Sequence, residues 1–231
     1  MRVTVLIPAH DEAARIGDTV SAALSIDGVE RLLVVDDASG DGTAELAAAA
    51  GAEVLRLDSN IGKGAALDAG LARVRASADV LLLLDGDLGL SASQGALLLE
   101  PLRDGSAAMS VAAFPRPLGK AGFGLVKGLA RLGIGVLAGR SRRGFAATAP
   151  LSGQRAITRE CWECVTPFAF GYGVEVALTV RALRSGYAVV EVPTTMVHAA
   201  TGRDAAGFAH RGRQFVHVAI ALLRLAVERR R

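Results

Sequence analysis

The sequence predicts an α/β fold in which a mostly parallel central sheet is flanked by helices. Short runs rich in Val, Leu and Ile alternate with Ala-rich stretches of about ten residues, as βαβ crossovers require. Polar residues follow each of the first four apolar runs. In a parallel sheet these positions meet at one edge, where ligands bind. We therefore expect the functional site beyond the carboxyl ends of the strands.

The apolar runs and the helical stretches between them predict the following elements. Strands are expected at Arg2–Pro8, Arg31–Val35, Ala52–Leu57, Val80–Leu84 and Ala107–Ala113. Helices are expected at Asp11–Leu24, Asp41–Ala50, Gly64–Ala76 and Ser93–Asp104. Pro115–Pro150 is predicted to be a mobile, Gly-rich amphipathic segment. It is followed by an extended piece at Leu151–Ile157, a helix at Gly173–Ser185, a strand at Ala188–Pro193 and a final helix from Ala205.

Length and composition indicate one globular domain over residues 1–231. Half of the residues are apolar (51%) but only 4% are aromatic, so the core is expected to consist of Ala, Leu and Val. This composition excludes a disordered or collagen-like chain. No uncharged apolar stretch is long enough to span a bilayer, and the first residues resemble no secretory signal. We therefore expect a cytoplasmic protein.

The charge is unevenly distributed: residues 1–139 have a net charge of −5 and residues 140–231 of +8. This split suggests that one half handles a cation and the other an anion, although solvated helix faces explain it equally well. The basic residues are not interleaved with stacking aromatics, so no nucleic-acid partner is expected. Cys161 and Cys164 are too few ligands for a structural zinc and are expected to be buried or bystander thiols.

Asp85, Gly86 and Asp87 follow the strand predicted at Val80–Leu84. Carboxylates two positions apart share a face of an extended chain, and the glycine lets the backbone turn. Both acids could then approach one hard divalent cation, Mg²⁺ or Mn²⁺. An Asp-Gly turn with incidental acids is the alternative.

Two further strand ends carry polar segments. Asp36–Thr43 offers hydrogen-bond acceptors suited to a base or a ribose. Asn60–Gly64 combines glycines with Lys63 at a predicted helix start, where phosphate oxygens are favoured. Neither a Walker loop nor a Gly-x-Gly-x-x-Gly after the first strand is present, which argues against P-loop and Rossmann dinucleotide sites.

Four segments, in this order and spacing, resemble the motifs of the family 2 glycosyltransferases of the GT-A fold. They are Ile7–Glu12, Val34–Thr43, Asn60–Gly64 and Leu84–Asp87. The resemblance is close as far as Asp87 and looser beyond it. It implies a single GT-A domain in which residues 1–114 bind a nucleotide-diphospho-sugar and residues 115–231 bind an acceptor.

The resemblance also implies roles for individual residues on the donor side. The base and ribose would be held by Pro8, Ala9, Glu12 and Asp37, and Lys63 would meet the diphosphate or the base region. Asp85, Gly86 and Asp87 would form the Asp-x-Asp motif, with Asp85 and Asp87 at the metal and Asp87 binding it directly. His198 lies where related enzymes place a third metal ligand, although a surface or capping histidine is the alternative.

On the acceptor side, Ser152, Gly153, Gln154 and Arg155 are similar to the segment that faces the acceptor in polyprenyl-phosphate sugar synthases. Arg203 is one of several arginines suited to phosphate. Glu175 corresponds to the acidic helix start near the acceptor and, with Asp87, is a candidate catalytic residue. Many inverting relatives have Glu-Asp here, whereas this chain has Glu175-Val176. A phosphate acceptor is already ionised and needs no general base. The absence of the Glu-Asp pair therefore favours a phosphate acceptor.

The expected activity is metal-dependent sugar transfer from a nucleotide-diphospho-sugar to a phosphate-bearing acceptor, foremost a polyprenyl phosphate at the inner face of the cell membrane. The amphipathic stretch Gly119–Gly139 fits a membrane interface or an ordinary packed helix. Alternatives are a soluble enzyme for a small phosphorylated or hydroxyl acceptor, as in the phosphoglycerate-glycosylating relatives, and a non-catalytic nucleotide-sugar-binding module. A homodimer, the sugar, the base and the stereochemistry stay open.

Overall fold

The computed structural model describes residues 1–114, 124–139, 145–197 and 205–228, and the side chains of residues 205–211 are not described. The strands are β1 (Val3–Ala9), β2 (Val29–Asp36), β3 (Glu53–Arg56), β4 (Val80–Leu83), β5 (Met109–Ala113), β6 (Arg155–Thr158) and β7 (Val189–Pro193). The helices are α1 (Ile16–Leu24), α2 (Thr43–Ala49), α3 (Lys63–Val74), α4 (Gly95–Arg103), α5 (Leu125–Ala138), α6 (Arg159–Val165), α7 (Val174–Arg184) and α8 (Ala205–Val227).

The strands form one sheet in the order β3-β2-β1-β4-β6-β5-β7. The pairs β1–β2, β1–β4, β2–β3 and β5–β7 are parallel, whereas β6 runs antiparallel to both β4 and β5. The predicted mostly parallel α/β fold is therefore confirmed. The reversed β6 places the start of this strand beside the end of β4. Asp85 consequently lies close to Gly153 and Gln154.

Helices cover both faces of the sheet. One buried cluster joins alternate residues of β1, β2 and β4 to α1 and α4. The other cluster joins the opposite face of the same strands to α3, α5, α6, α7 and α8. This alternation is expected for strands that are buried on both sides. The helix α7 is buried along most of its length.

The element boundaries differ from the predictions mainly where polar loops precede helices. The helix predicted at Asp11–Leu24 begins only at Ile16, and Asp11 has a φ of +56°. The region predicted as the helix Ser93–Asp104 is a 3₁₀ helix, Gly89–Gln94, followed by α4. Within the predicted segment Pro115–Pro150, α5 is a regular packed helix, which agrees with the packed-helix alternative for Gly119–Gly139 and not with a mobile segment. Residues 115–123 and 140–144 of this segment lie outside the described ranges. The short helix α6 was not predicted.

Both cysteine thiols are free, as expected: Cys161 is buried and Cys164 is exposed. Burial raises the pKa of Cys161 to about 12, so this thiol stays protonated at neutral pH. The thiol of Cys164 lies 3.1 Å from the Ser185 hydroxyl. Within the described ranges, no helix has both the length and the apolar character needed to cross a bilayer.

Candidate active site

The loops after β1 and β2 are linked by a series of hydrogen bonds. The Asp11 amide donates to the Ser39 hydroxyl at 3.0 Å, and the Gly40 amide donates back to the Asp11 carboxylate at 2.8 Å. The Glu12 amide donates to the Thr43 hydroxyl at 2.8 Å. These bonds use the polar residues that the sequence places after the two strands. They hold the two loops as one unit at the carboxyl edge of the sheet.

Asp37 connects this unit to the start of α3. Its amide donates to the Ala9 carbonyl at 2.8 Å, and its carboxylate accepts from the Ile61 and Gly62 amides at 2.7 and 2.8 Å. The side chain is buried. Pro8 and Ala9 form the adjacent end of β1. Four of the predicted donor-site positions therefore lie close together: Pro8 and Ala9 at the end of β1, and Glu12 and Asp37 in the loops after β1 and β2.

Lys63 forms the centre of a three-residue ion cluster, which we call the Lys63 cluster (Lys63, Asp85 and Glu175). Its ammonium nitrogen lies 2.8 Å from Asp85 Oδ1 and 2.9 Å from Glu175 Oε1. The Glu175 carboxylate is 7% exposed, whereas Lys63 and Asp85 are about a quarter exposed. Burial disfavours the ammonium, but the two carboxylates outweigh this effect and raise the pKa of Lys63. Lys63 therefore remains a cation at neutral pH.

The segment before β6 forms the floor beside this cluster. The Gln154 amide donates to Asp85 Oδ2 at 2.6 Å, and the Ser152 hydroxyl lies 3.1 Å from Gln154 Oε1. A Cβ atom at Gly153 would lie 2.7 Å from Lys63 Nζ and 2.9 Å from Asp85 Oδ2. Glycine is therefore required for the floor to approach the ions. Both oxygens of Asp85 already accept hydrogen bonds.

Arg155 lies beneath the floor and is 1% exposed. It donates to the Ser152 carbonyl at 3.0 Å and to the Thr179 hydroxyl at 2.8 Å, and Thr179 in turn donates to the Glu175 carbonyl. Burial lowers the pKa of Arg155 to about 10. Its Nη2 atom has no hydrogen-bond partner among the described residues. The guanidinium thus supports Ser152 and Glu175 from below and does not reach the site surface.

The loop after β4 is held by residues that the sequence analysis missed. The Thr19 hydroxyl donates to the Gly86 carbonyl at 2.9 Å and accepts from the Gly89 amide at 2.8 Å. Arg15 donates to the Asp87 carbonyl at 3.3 Å. These contacts span 67 to 72 residues, so no local motif could have indicated them. They fix the turn that presents Asp85 and Asp87.

Glu12, Asp85 and Asp87 concentrate negative charge at this edge. Burial, followed by the charges of Asp87, Asp85 and Asp41, raises the pKa of Glu12 to about 7. A Cβ atom at Gly86 would lie 3.2 Å from Glu12 Cγ, which shows how closely the two loops pack. Acids that repel one another in this way favour binding of a cation.

The donor set suits Mg²⁺ or Mn²⁺ because its atoms are carboxylate oxygens. Asp85 is held by Lys63 and Gln154, and Asp87 lies two residues further along the same turn. Within the described ranges, no three His, Cys, Asp or Glu residues could enclose an ion. Mg²⁺ commonly uses one or two carboxylates and completes its shell with substrate phosphates and water. The residues present fit a metal bound in that way.

Two predicted site residues lie outside the described part of the chain. They are the metal-ligand candidate His198 and the phosphate-binding candidate Arg203. The structure brings the others together at the carboxyl edge, with Arg155 beneath it. At the margin of the site, the His217 ring stacks on Tyr172 with centroids 5.6 Å apart. The sequence analysis did not identify this contact.

Residues 4–143 match the sequence model of the family described as "Glycosyl transferase family 2". Similar proteins include the glycosyltransferase AglJ of Haloferax volcanii, with 33% identity over 87% of this chain and 65% of that protein. Glucosyl-3-phosphoglycerate synthase of Mycolicibacterium paratuberculosis is 35% identical over 77% and 59% of the two chains. Undecaprenyl-phosphate mannosyltransferase of Micrococcus luteus is 30% identical over 88% and 87%.

The chain thus spans 59% to 65% of the length of the first two relatives. Among solved structures, glucosyl-3-phosphoglycerate synthase of Mycobacterium tuberculosis with Mn²⁺, uridine diphosphate and phosphoglyceric acid superimposes with a TM-score of 0.80. The identity is 27%, over 99% of this chain and 79% of that one. Another structure of that enzyme contains Mg²⁺ and uridine diphosphate. The sequence match, the shared architecture and the motif geometry together establish that this chain belongs to glycosyltransferase family 2 and has the GT-A fold.

Proposed function

We propose that this protein is a metal-dependent glycosyltransferase that moves a sugar from a nucleotide-diphospho-sugar to a phosphate-bearing acceptor, foremost a polyprenyl phosphate. The observation behind the proposal is the meeting of Asp85, Asp87, Lys63 and Glu175 at the carboxyl edge of the sheet. A binding module needs no such combination of acids and cation. The family match and the names of the relatives support the same reaction class.

The donor would bind to the half formed by residues 1–114. Pro8 and Ala9 end β1, Glu12 and Asp37 lie in the adjacent loops, and the oxygen atoms of these residues suit the donors of a base and a ribose. The Asp37 carboxylate oxygens each accept one backbone hydrogen bond and can accept another. Residues 115–231 would provide the acceptor half.

Asp87 would hold Mg²⁺ or Mn²⁺, and Asp85 would be oriented toward it by Lys63 and Gln154. When bound, the metal acts as a Lewis acid for the departing diphosphate, on which negative charge develops. Lys63 is a second cation beside this position. Its two acidic partners hold its ammonium group in place before the donor arrives, so little reorganisation is needed.

The state of Glu175 favours an ionised acceptor. Its carboxylate is directed at the Lys63 ammonium, 2.9 Å away, which assigns it to holding this cation and not to removing a proton from a hydroxyl acceptor. A phosphate oxygen attacks without losing a proton. Glu175 would act by positioning Lys63 and the acceptor. Ser152, Gly153 and Gln154 are proposed to face the acceptor, Arg155 supports them, and Arg203 is a further candidate phosphate ligand.

A second candidate function is transfer to a small phosphorylated acceptor of the phosphoglycerate type. It is favoured by the relatives named glucosyl-3-phosphoglycerate synthase and by the solved structure of such an enzyme with phosphoglyceric acid. The two candidates share the donor site and differ only in what surrounds the acceptor phosphate. A polyprenyl phosphate acceptor would place the enzyme at the inner face of the cell membrane.

The test is nucleoside diphosphate release from UDP- and GDP-sugars with Mn²⁺, measured with undecaprenyl phosphate, with 3-phosphoglycerate and without acceptor. We expect release that requires metal and is stimulated most by the lipid phosphate, with the sugar recovered on the lipid. Stimulation by phosphoglycerate alone would establish the second candidate. Absence of release from every donor, in protein that binds nucleotide, would instead support a non-catalytic module and overturn the proposal.

A further inference from the structure

The helix α5 presents an apolar stripe to solvent. Leu125, Leu132 and Val136 are 64%, 65% and 69% exposed. At 100° per residue these three positions lie on one side of the helix. The buried residues of α5 are Val126, Ala130, Ile134 and Ala138, which lie on the opposite side. The stripe therefore points directly away from the core.

The helix α8 has a second stripe of the same kind. Val216, Ile220, Leu223 and Val227 recur at helical spacing and are all exposed, Leu223 at 70% and Val227 at 81%. The buried residues Val218, Ala221 and Leu225 lie on the opposite side of the helix. Helices that pack on a soluble core normally place polar residues on the outer side. Both α5 and α8 depart from that pattern.

The two stripes lie on the same side of the molecule. The helices contact each other, with Gly133 of α5 meeting the Leu222 side chain of α8, and both also pack on α7. Their outer sides therefore both face away from α7. We call the seven stripe residues, Leu125, Leu132, Val136, Val216, Ile220, Leu223 and Val227, the α5–α8 face. Contiguous apolar surface of this kind marks an interaction site.

The charges around the α5–α8 face are of one sign. The 14 residues of α5 and the 23 residues of α8 include no Asp or Glu. Arg213 and Arg224 border the stripe of α8, and both side chains are exposed. Lys127 and Arg131 are also exposed but lie on other sides of α5 than its stripe, and Arg131 donates to the Ala147 carbonyl. Glu228, just after α8, is turned toward Arg181, with 2.6 Å between their charged atoms. Apolar stripes bordered by cations are typical of helices that lie in an anionic membrane interface.

We propose that the α5–α8 face docks on an anionic lipid bilayer. A second copy of the chain fits less well, because a symmetric contact would bring Arg213 and Arg224 of both copies together without an acidic residue on either helix. The His217 ring of α8 stacks on Tyr172, three residues before Glu175, so α8 adjoins the candidate active site. Docking would therefore bring the site close to a lipid-borne acceptor. The surface itself does not depend on the reaction.

The test is co-sedimentation of the full chain with vesicles of phosphatidylcholine, with and without phosphatidylglycerol. We expect binding to the anionic vesicles that weakens at high salt. The variant Leu132→Gln/Leu223→Gln should lower the partition coefficient at least about tenfold, because two exposed leucines no longer enter the apolar phase. Leu46→Gln/Leu90→Gln, which replaces two exposed leucines on other elements, is the matched control and should bind like the wild type.

Failure of the wild type to bind anionic vesicles would overturn the proposal, as would unchanged binding of Leu132→Gln/Leu223→Gln. A wild-type dimer in light scattering that becomes monomeric in this variant, without vesicle binding, would reassign the face to self-association. Nucleotide binding by the same variant is measured in parallel and should be unchanged. Loss of vesicle binding is thereby distinguished from failure of the proposed transferase activity.

Discussion

The ammonium of Lys63 lies 2.9 Å from the carboxylate of Glu175, although 112 residues separate them in the sequence. Lys63 begins α3 and Glu175 lies in the first turn of α7. The approach of these helices depends on Gly64, where a Cβ atom would lie 2.0 Å from the Ala169 carbonyl oxygen. The contact joins the half proposed to bind the donor to the half proposed to bind the acceptor.

Replacing Lys63 should expose the repulsion between its partners. Lys63→Met leaves Asp85 and Glu175 without their cation, and breaking a buried pair costs about 3–5 kcal/mol. Since part of the cluster is exposed, we expect a loss of about 2–3 kcal/mol in the free energy of unfolding, measured with urea. Lys63→Met/Glu175→Gln should recover about half of it. Equal losses of unfolding free energy in Lys63→Met and Lys63→Met/Glu175→Gln would contradict this explanation. Lys127→Met, at an exposed lysine, is the control and should change the free energy of unfolding little.

Gly153 should be required for the site more than for the fold. Gly153→Ala places a methyl group 2.7 Å from Lys63 Nζ, and we expect donor turnover to fall about tenfold or more because the ions shift. The loss of stability should stay near 1–2 kcal/mol. Gly17→Ala is the matched control, because that helical position has open space and should gain about 0.5–1 kcal/mol. Wild-type turnover in Gly153→Ala would exclude the close packing described above.

The like charges around Glu12 predict a pH dependence of stability in metal-free protein. The pKa of Glu12 rises from 4.5 to about 7 on folding, so the native state binds the proton more tightly than the unfolded state. The free energy of unfolding should therefore fall as the pH rises from about 4.5 to about 7. Above that range Glu12 is ionised in both states, and the free energy of unfolding should fall no further on its account. After allowance for the half-exposed side chain, we expect about 1–2 kcal/mol.

Glu12→Gln removes this titration and should flatten the fall. The measurement is the unfolding free energy of both proteins from pH 4 to pH 8 in chelator, a range set by the two pKa values. Glu30→Gln, at an exposed position of β2, should retain the wild-type profile. If Glu12→Gln showed the same fall as the wild type, the carboxylate cluster would not be its source.

Much of the fold was predictable from the sequence because apolar runs and polar strand ends recur in order. The direction of each strand was not predictable, since the composition of a short strand such as Arg155–Thr158 does not indicate whether it pairs parallel or antiparallel. The glycines around α5 favoured a mobile segment, and the sequence could not decide between this and a packed helix. At Gly133 a Cβ atom would lie 2.3 Å from the Leu222 side chain, so this glycine serves close helix packing, which a sequence pattern cannot distinguish from flexibility.

The site was predictable to a similar extent. The motif residues from Pro8 to Asp87 do gather at one edge, as parallel strands require. The pairing of Lys63 with both Asp85 and Glu175 was not predicted, because it depends on the packing of α7 against α3. Arg155 was expected at the acceptor, yet its buried position beneath Ser152 depends on the antiparallel β6. Residue type alone does not indicate which side of the floor an arginine occupies.

The most direct test of the central claim is calorimetric titration of the wild type and of Asp87→Asn with UDP and GDP, with and without Mn²⁺. If Asp87 holds a metal that bridges the donor diphosphate, Mn²⁺ should raise the wild-type affinity for one nucleotide by at least about tenfold. Asp87→Asn should lose this gain while keeping its fold. The same Mn²⁺-dependent gain in nucleotide affinity in Asp87→Asn would contradict the proposed metal site. So would a wild-type affinity that is equal with and without Mn²⁺.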